Sequence, residues 1–395
     1  MKKYNVIILG TDIACYSIAR SYHEAFGEKA IVCGQSILAP FADSKIADIY
    51  LRENFSTWAD TDEPFVEHLN EVVAKNPAET NVIFVPYEEY FNKLLRNKDR
   101  LHFDMKIPYP SRKMGAKLIQ KSEFYKFLDT IDINYPKTQI IGRDNIEDLS
   151  LEGDLFAKAD HYEEFENLEG LDNMKKGYKL SSNKEAIDTI KDIYEKTDYS
   201  SKMVVQEFIN GGDGSELSIN GYRAKDGKLS MALCRSILSD HRDMWVGNHL
   251  VQIDHEDDRL YAIAQKIVDS LDYHGLFNID FKIDSVTGKI YVFEVNVRQG
   301  RTFYFSTLGG VNLIKAAIKD LVFEDSIKQR PNKKFMFRSL SEKCSRNHLD
   351  EKFLDEFDQR ADISLNPLEN KDDNSLKRRF YVNRSIKNLE KQIYG

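Results

Sequence analysis

Four cysteines are all that this 395-residue chain contains: Cys15, Cys33, Cys234 and Cys344, with no CxxC pair and no histidine at zinc-ligand spacing. So few thiols argue against a structural zinc site and fit a reducing compartment. Positive charge is also in deficit, with 56 Lys and Arg against 64 Asp and Glu and a formal net charge of −8. A chain that wraps nucleic acid shows a basic balance, so no nucleic-acid partner is expected. No apolar run approaches the roughly 20 residues of a membrane span, so stable membrane insertion is not expected. The run 6–9 follows two lysines but stops at Gly10, ahead of Asp12, with no small-residue cleavage site. It reads as a buried strand rather than a leader, and a cytoplasmic location is expected. Internal repeats are missing, as is any defensible Ser/His/Asp or Cys/His arrangement. The first turn, Gly10-Thr11-Asp12-Ile13-Ala14, lacks the GxGxxG fingerprint of dinucleotide binding.

What is present is enough apolar residue, 42%, for folded cores, in a length suited to two or three domains. Short apolar runs at 6–9, 30–33 and 81–86 alternate with helical patterns. That alternation implies a Rossmann-like, doubly wound parallel sheet over residues 1–110. Gly10 permits a tight strand-to-helix turn; alternatively, the N–H groups of that turn help hold a substrate anion. Two prolines within 104–113 mark a crossing between domains. A helix over 122–132 follows, with Ser122 as its candidate N-cap. Lys158 ends the strand-like run 155–158, and residues 160–179 read as a mobile polar loop. Ser182 and Glu185 form a capping box for a helix to about 194. A strand at 203–209 precedes Gly211-Gly212-Asp213-Gly214. Antiparallel strands at 217–222 and 229–234, a helix over 258–272 and a hairpin over 277–297 complete the pattern.

That hairpin carries the strongest chemical signal. Ile279, Phe281 and Ile283 alternate with Asp280, Lys282 and Asp284; Tyr291, Phe293 and Val295 alternate with Glu294 and Asn296. A five-residue connection, 285–289, sets Asp284 opposite Ile290 and therefore Asp280 opposite Glu294, with Asn296 two residues on along the same face. Opposed carboxylates repel and call for a cation. Hard oxygen ligands suit Mg²⁺, with Mn²⁺ also possible. Arg298 and Arg301, just beyond, suit phosphate or carboxylate recognition, because a planar guanidinium binds oxygens bidentately.

The segment Phe293-Glu294-Val295-Asn296-Val297-Arg298 resembles the Glu-x-Asn-x-Arg motif of the ATP-grasp superfamily of carboxylate–amine ligases, and the likeness extends over roughly residues 4–325. The resemblance implies a two-subdomain ATP-grasp fold after the N-terminal domain, an α/β and α+β architecture overall. Its small subdomain would span 111–202, its large subdomain with the metal site 203–330, and a C-terminal extension 331–395. It implies Asp280, Glu294 and Asn296 as metal ligands and Lys121 and Lys158 as contacts to the phosphates of ATP. Glu207, Phe208 and Ile209 would meet adenine, and Asp213 or Glu216 the ribose. The stretches Leu9-Gly10-Thr11-Asp12, Ala19-Arg20-Ser21-Tyr22, Leu38-Ala39-Pro40 and Arg298-Gln299-Gly300-Arg301 are most similar to bacterial D-aspartate ligases. Two departures stand out. The phosphate-covering loop, often glycine-rich in the family, has only Gly170 and Gly177 over 159–179, although Lys175 and Lys176 lie within it; and Val297 stands where many relatives have proline.

The implied reaction joins an amino-acid carboxylate donor to an amine acceptor through an acyl phosphate. In the D-aspartate ligases the donor is D-aspartate and the acceptor a lysine side chain of a peptidoglycan precursor, a UDP-linked muropeptide. Arg298, Arg301 and Arg235 are the candidate anchors for the carboxylate and the transferred group. An ATP-grasp ligase joining other amino acids or building a small metabolite, and a non-catalytic ATP sensor, are the alternative readings. The basic stretch from Leu376 to Lys391 reads as a solvated helix on its own domain, or as a contact for an anionic precursor or a membrane surface.

Overall fold

A run of β-branched and aromatic residues opens the chain, and from Tyr4 to Leu9 it is buried. Near-continuous burial is what a central strand of a parallel sheet requires, because both faces are covered. The computed structural model, which describes residues 2–55, 61–171, 174–243 and 245–395, places it there. Lys2–Leu9 pairs in parallel with Ala30–Gly34 on one side and Ala78–Phe84 on the other. Ala47–Leu51 and Met105–Lys106 extend this five-stranded sheet at its two edges. The strand order reverses direction at Lys2–Leu9. With right-handed crossovers, the helices then fall on both faces and a crevice opens at the carboxyl ends of the reversing strands. Gly10 sits at that crevice with φ +112°, and a Cβ there would meet the Cys15 sulfur at 2.8 Å. Glycine is therefore required by the turn itself.

Two further sheets follow, antiparallel except where Met336–Arg338 pairs in parallel with Ser364–Leu365. A four-stranded sheet runs in the order Thr138–Ile141, Met203–Glu207, Leu155–Ala159, Tyr178–Leu180. The strand Met203–Glu207 is internal to this small sheet, so the expected boundary at 202/203 falls one strand too early. A seven-stranded sheet runs Ile290–Asn296, Gly275–Ile283, Glu216–Arg223, Leu229–Ser239, His249–Asp254, Met336–Arg338, Ser364–Leu365. Its last two strands come from 331–395, so this stretch completes the large sheet rather than standing apart.

One face of the large sheet packs on the helix Asp258–Ser270 and on the helices Arg112–Ile119 and Lys121–Thr130, around Leu217, Ile219, Phe281, Val292 and Val295. The other face is covered at one end by Tyr304–Leu308 and Leu313–Phe323, in a core shared with the N-terminal domain. At its other end that face lies open, and there the polar residues gather.

Local starts differ from expectation in two places. The helix expected from Ser122 begins at Lys121, with Gln120 at the cap position; the Ser122 hydroxyl instead donates to Asp160 at 3.2 Å. The segment read as a mobile loop contains a short helix, Tyr162–Glu166, and the start of the strand Tyr178–Leu180.

Candidate nucleotide and metal site

Asp280 stands opposite Glu294, and Asn278 opposite Asn296, across the strands Gly275–Ile283 and Ile290–Asn296. The route to that register differs from the expected one. The turn closes with Ile283 opposite Ile290, one residue off from a pairing of Asp284 with Ile290. Asp284 is drawn into the turn, accepting from Thr287 N at 2.7 Å and Val286 N at 2.9 Å. A bulge at Phe293 then restores the register. It also redistributes the faces. Val292, Val295 and Val297 enter the core, and Tyr291 lies opposite Lys282 on the polar face. The extra residue, Phe293, lies 5.7 Å from the Lys158 ammonium, and its carbonyl accepts from the Tyr125 hydroxyl at 2.9 Å.

The two carboxylates sit deep in the cleft while remaining reachable by solvent. Burial, and then the charge of Glu294, push Asp280 up to about 6, against a hydrogen bond from the Ser218 hydroxyl at 2.6 Å and one from Asn278 at 3.2 Å. Glu294 moves the other way. Burial would raise it, but the ammonium groups of Lys121, Lys158 and Lys176 together outweigh burial and hold it below its ordinary value. Lys158 is pushed down to about 7, first by burial and then by its neighbour Lys121. Burial and a neighbouring ammonium both disfavour charge on Lys158, and an anion beside it would offset both. Lys176 reaches the cluster from the loop and donates to Val246 O at 3.0 Å. Lys175 turns away to Asp243, at 3.1 Å.

The remaining residues divide. Arg298 lines a crevice with Val85, Phe91, Tyr109, Asn296 and Val297, between the N-terminal sheet and the end of the strand Ile290–Asn296. Arg301 is exposed and acts electrostatically on Asp12. The Asp12 carboxylate caps the first helix, accepting from Cys15 N at 3.0 Å. The Cys15 N–H of that turn is thus met by the protein's own carboxylate. Arg235 does not join the site. It stands opposite Leu217, and opposed residues share a face, so it projects away from Ser218 and Asp280. There it ion-pairs with Glu356 and lies over Phe353.

At the far end of the cleft, Glu207 accepts from Lys137 N at 2.9 Å, Phe208 donates its N–H to Asp154 O at 2.8 Å, and Ile209 is buried. Lys179 and Lys282 approach the Phe208 ring at 4.1 and 5.5 Å. Of the two ribose candidates, Glu216 faces this cleft, 3.7 Å from Lys282 and 3.8 Å from His249. Asp213 turns to His241, at 3.3 Å.

Ser218, Asn278, Lys282, His249 and Tyr125 also belong to this constellation, and none was singled out from the sequence. The signal for three of them, Ser218, Lys282 and Asn278, lies in the strand pattern: Glu216, Ser218 and Asn220 alternate along one strand and stand opposite Lys282, Asp280 and Asn278. Asn220 accepts from Gly300 N at 2.7 Å, which ties the arginine loop to the sheet.

Among the described residues no three His, Cys, Asp or Glu side chains cluster to cage a metal by themselves. Two carboxylates and one amide oxygen donor form an incomplete hard-oxygen shell. Magnesium takes such a shell when phosphate oxygens and water complete it, and burial beside the Glu294 carboxylate disfavours charge on Asp280, which a cation between them would offset. The residues therefore fit a divalent cation.

Comparison with known proteins agrees with this fold. Residues 199–342 match the family model described as "ATP-grasp in the biosynthetic pathway with Ter operon". A D-aspartate ligase of Enterococcus faecium (strain Aus0004) is 28% identical over 327 residues, covering 80% of this chain and 76% of that protein. Among solved structures, N5-carboxyaminoimidazole synthetase from Staphylococcus aureus superposes with a TM-score of 0.61 at 16% identity, covering 87% of this chain and 84% of that one. An L-amino acid ligase from Bacillus licheniformis gives 0.58 at 14% identity, over 85% and 79%.

Proposed function

We propose a specific reaction for this chain, which carries an ATP-grasp domain of the kind found in ADP-forming carboxylate–amine ligases: amide formation between the side-chain carboxylate of D-aspartate and the lysine side-chain amine of a peptidoglycan precursor. The observation that carries the ligase reading is the opposition of Asp280 and Glu294 beside Asn296, with Lys121, Lys158 and Lys176 acting on Glu294.

ATP lies, in this reading, with adenine against the Glu207-Phe208-Ile209 segment, its ribose hydroxyls at Glu216 and its phosphates at the lysines. A divalent cation, magnesium or alternatively manganese, would be held by Asp280, Glu294 and Asn296 and would neutralise charge on the β- and γ-phosphates. The donor carboxylate occupies the crevice beside Arg298, with Arg301 and Asp12 at its outer end. One oxygen of that carboxylate attacks the γ-phosphorus, the bond to the β-phosphate oxygen breaks, and ADP leaves. Lys121, Lys158 and Arg298 stabilise the charge on the transferred group, so positioning and electrostatics supply the rate. The acceptor nitrogen then attacks the acyl carbon, phosphate departs with the C–O bond, and the nitrogen loses a proton. This reaction needs the ATP of the cytoplasm.

The D-aspartate assignment rests on the likeness to the enterococcal ligase. A second reading, a ligase building a small metabolite, is favoured by the description of the family model over 199–342. ADP release measured across D- and L-amino acids, followed by mass spectrometry of the product, separates them. D-aspartate-dependent ADP release that yields an amide on a lysine-containing muropeptide supports the first. Release with another acid and a small amine supports the second. Absence of ADP release with every acid tested would sink the ligase reading.

A further inference from the structure

The C-terminal helix, Leu376–Tyr394, carries six cations, Lys377, Arg378, Arg379, Arg384, Lys387 and Lys391, and one carboxylate, Glu390. A solvated helix in an acidic chain ordinarily mixes both signs and links them in pairs three or four residues apart. Here the inner face is fully used. Arg378 is 1% exposed, ion-paired with the buried Asp373 at 3.2 Å and donating to Pro40 O at 2.7 Å. Val382 and Ile386 enter the core shared with the N-terminal domain, and Leu389 and Ile393 pack on a second core. Glu390 is turned inward, accepting from Ser341 N at 2.8 Å. The helix is therefore fixed to the body and cannot roll its basic side inward.

The outer face presents Arg384, Lys387 and Lys391 with no carboxylate partner among the described residues, together with Lys377 and Arg379. Lys377 lies 3.9 Å from Asp43 and Arg379 donates to Asn374. At the amino end of the same face, Leu376 and Phe380 are 83% and 62% exposed. The stripe 376, 380, 384, 387, 391 follows helical spacing, over a helix about 28 Å long.

We propose that this face is a docking surface for an anionic lipid bilayer. Charge complementarity selects the occupant. The chain as a whole carries −8, so an anionic surface repels most of it and attracts this stripe, which orients the protein. Two protruding apolar side chains at one end have a use at the acyl boundary of a bilayer and little along a hydrophilic polyanion. A second copy of the chain is disfavoured, since a two-fold contact would set the same cations against each other. The contact is peripheral: no helix among the described residues is long and apolar enough to cross a membrane.

The test uses the full-length protein and vesicles of phosphatidylcholine with and without phosphatidylglycerol. Sedimentation with the anionic vesicles alone, and release at high salt, are expected. The triple variant R384E/K387E/K391E should lower the partition coefficient at least a hundredfold, at about fivefold per cation lost, and Phe380→Ser should lower it further. Both variants should keep the wild-type rate of ADP formation, which shows that they fold. A control with the same charge change elsewhere, K184E/K266E/K328E, should still bind. Failure of the wild type to bind, equal loss in the control triple, retention on heparin without vesicle binding, or a Phe380-dependent dimer in light scattering would each overturn the proposal. None of these outcomes depends on the identity of the ligase substrates.

Discussion

Asp280 lies opposite Glu294 because Phe293 is set out of the ladder between them and the turn. With Ile283 facing Ile290, an unbroken ladder would bring Asp280 to Phe293. The extra residue moves Glu294 into place, sends Val292 and Val295 to the core, and leaves the aromatic ring beside Lys158. This register holds the two carboxylates together in a buried place, and the cost falls on Asp280.

Asp280→Asn removes that cost. Asp280 is raised from its ordinary value to about 6. A raised carboxylate favours the fold below its unfolded pKa and forfeits that stability as pH rises from about 4 through 6. At pH 8 the neutral amide should therefore stabilise the free protein by on the order of 2 kcal/mol, while ADP formation falls at least a hundredfold. Thermal unfolding and an ADP assay check both. Asp280→Asn that loses stability at pH 8 would contradict the assignment of repulsion to this pair. Glu294→Gln should likewise keep the fold and abolish ADP formation.

Lys158 gives a prediction of the opposite sign. Its lowered value, about 7, arises from burial and from Lys121. A depressed lysine is largely neutral in the fold above pH 7, and its penalty is felt in full as pH falls through 7. Triphosphate placed between the lysines should restore its proton. Nucleotide binding at pH 8 is therefore expected to take up close to one proton, read as a dependence of calorimetric enthalpy on the ionisation enthalpy of the buffer. Lys158→Met should abolish that uptake and weaken nucleotide binding.

Much of the architecture was legible because it follows from periodicity. The alternating strands and helices of residues 2–106 and the polar face of 280, 294 and 296 are patterns of period two or of βα alternation. The bulge was not legible, since nothing in Phe293 itself marks an extra residue, and the register came out right through two compensating differences. Arg235 was misplaced because its strand was never paired by register; opposite Leu217 it had to leave the site. Ser218 and Asn278 were missed because their role appears only when three strands are laid side by side.

In the proposed reading, Ser218 positions a metal ligand, Asp280, rather than binding the nucleotide. Its hydroxyl holds one Asp280 oxygen at 2.6 Å and so fixes where the other points. Ser218→Ala should weaken the apparent affinity for magnesium by ten- to a hundredfold and raise Asp280 further, with a small change in the KM for the donor. Metal titrations of ADP formation at fixed ATP provide the check, and Ser218→Thr should recover most of the loss.

Arg235 supplies the converse. It sits on the sheet face away from Asp280, ion-paired with Glu356 and lying over Phe353, which joins the large sheet to the segment 351–358. An arginine that anchored substrate would show its loss in KM. One that ties two elements together leaves kinetics intact and lowers stability, because a half-buried carboxylate is left without its partner. Arg235→Met should thus keep kcat and the KM for the donor within about twofold while costing roughly 1–3 kcal/mol in unfolding free energy. The double variant with Glu356→Gln should recover part of that cost, since both charges are then gone. A large rise in donor KM with unchanged stability would place Arg235 in the site after all, and would require the strand Leu229–Ser239 to present its other face to the cleft.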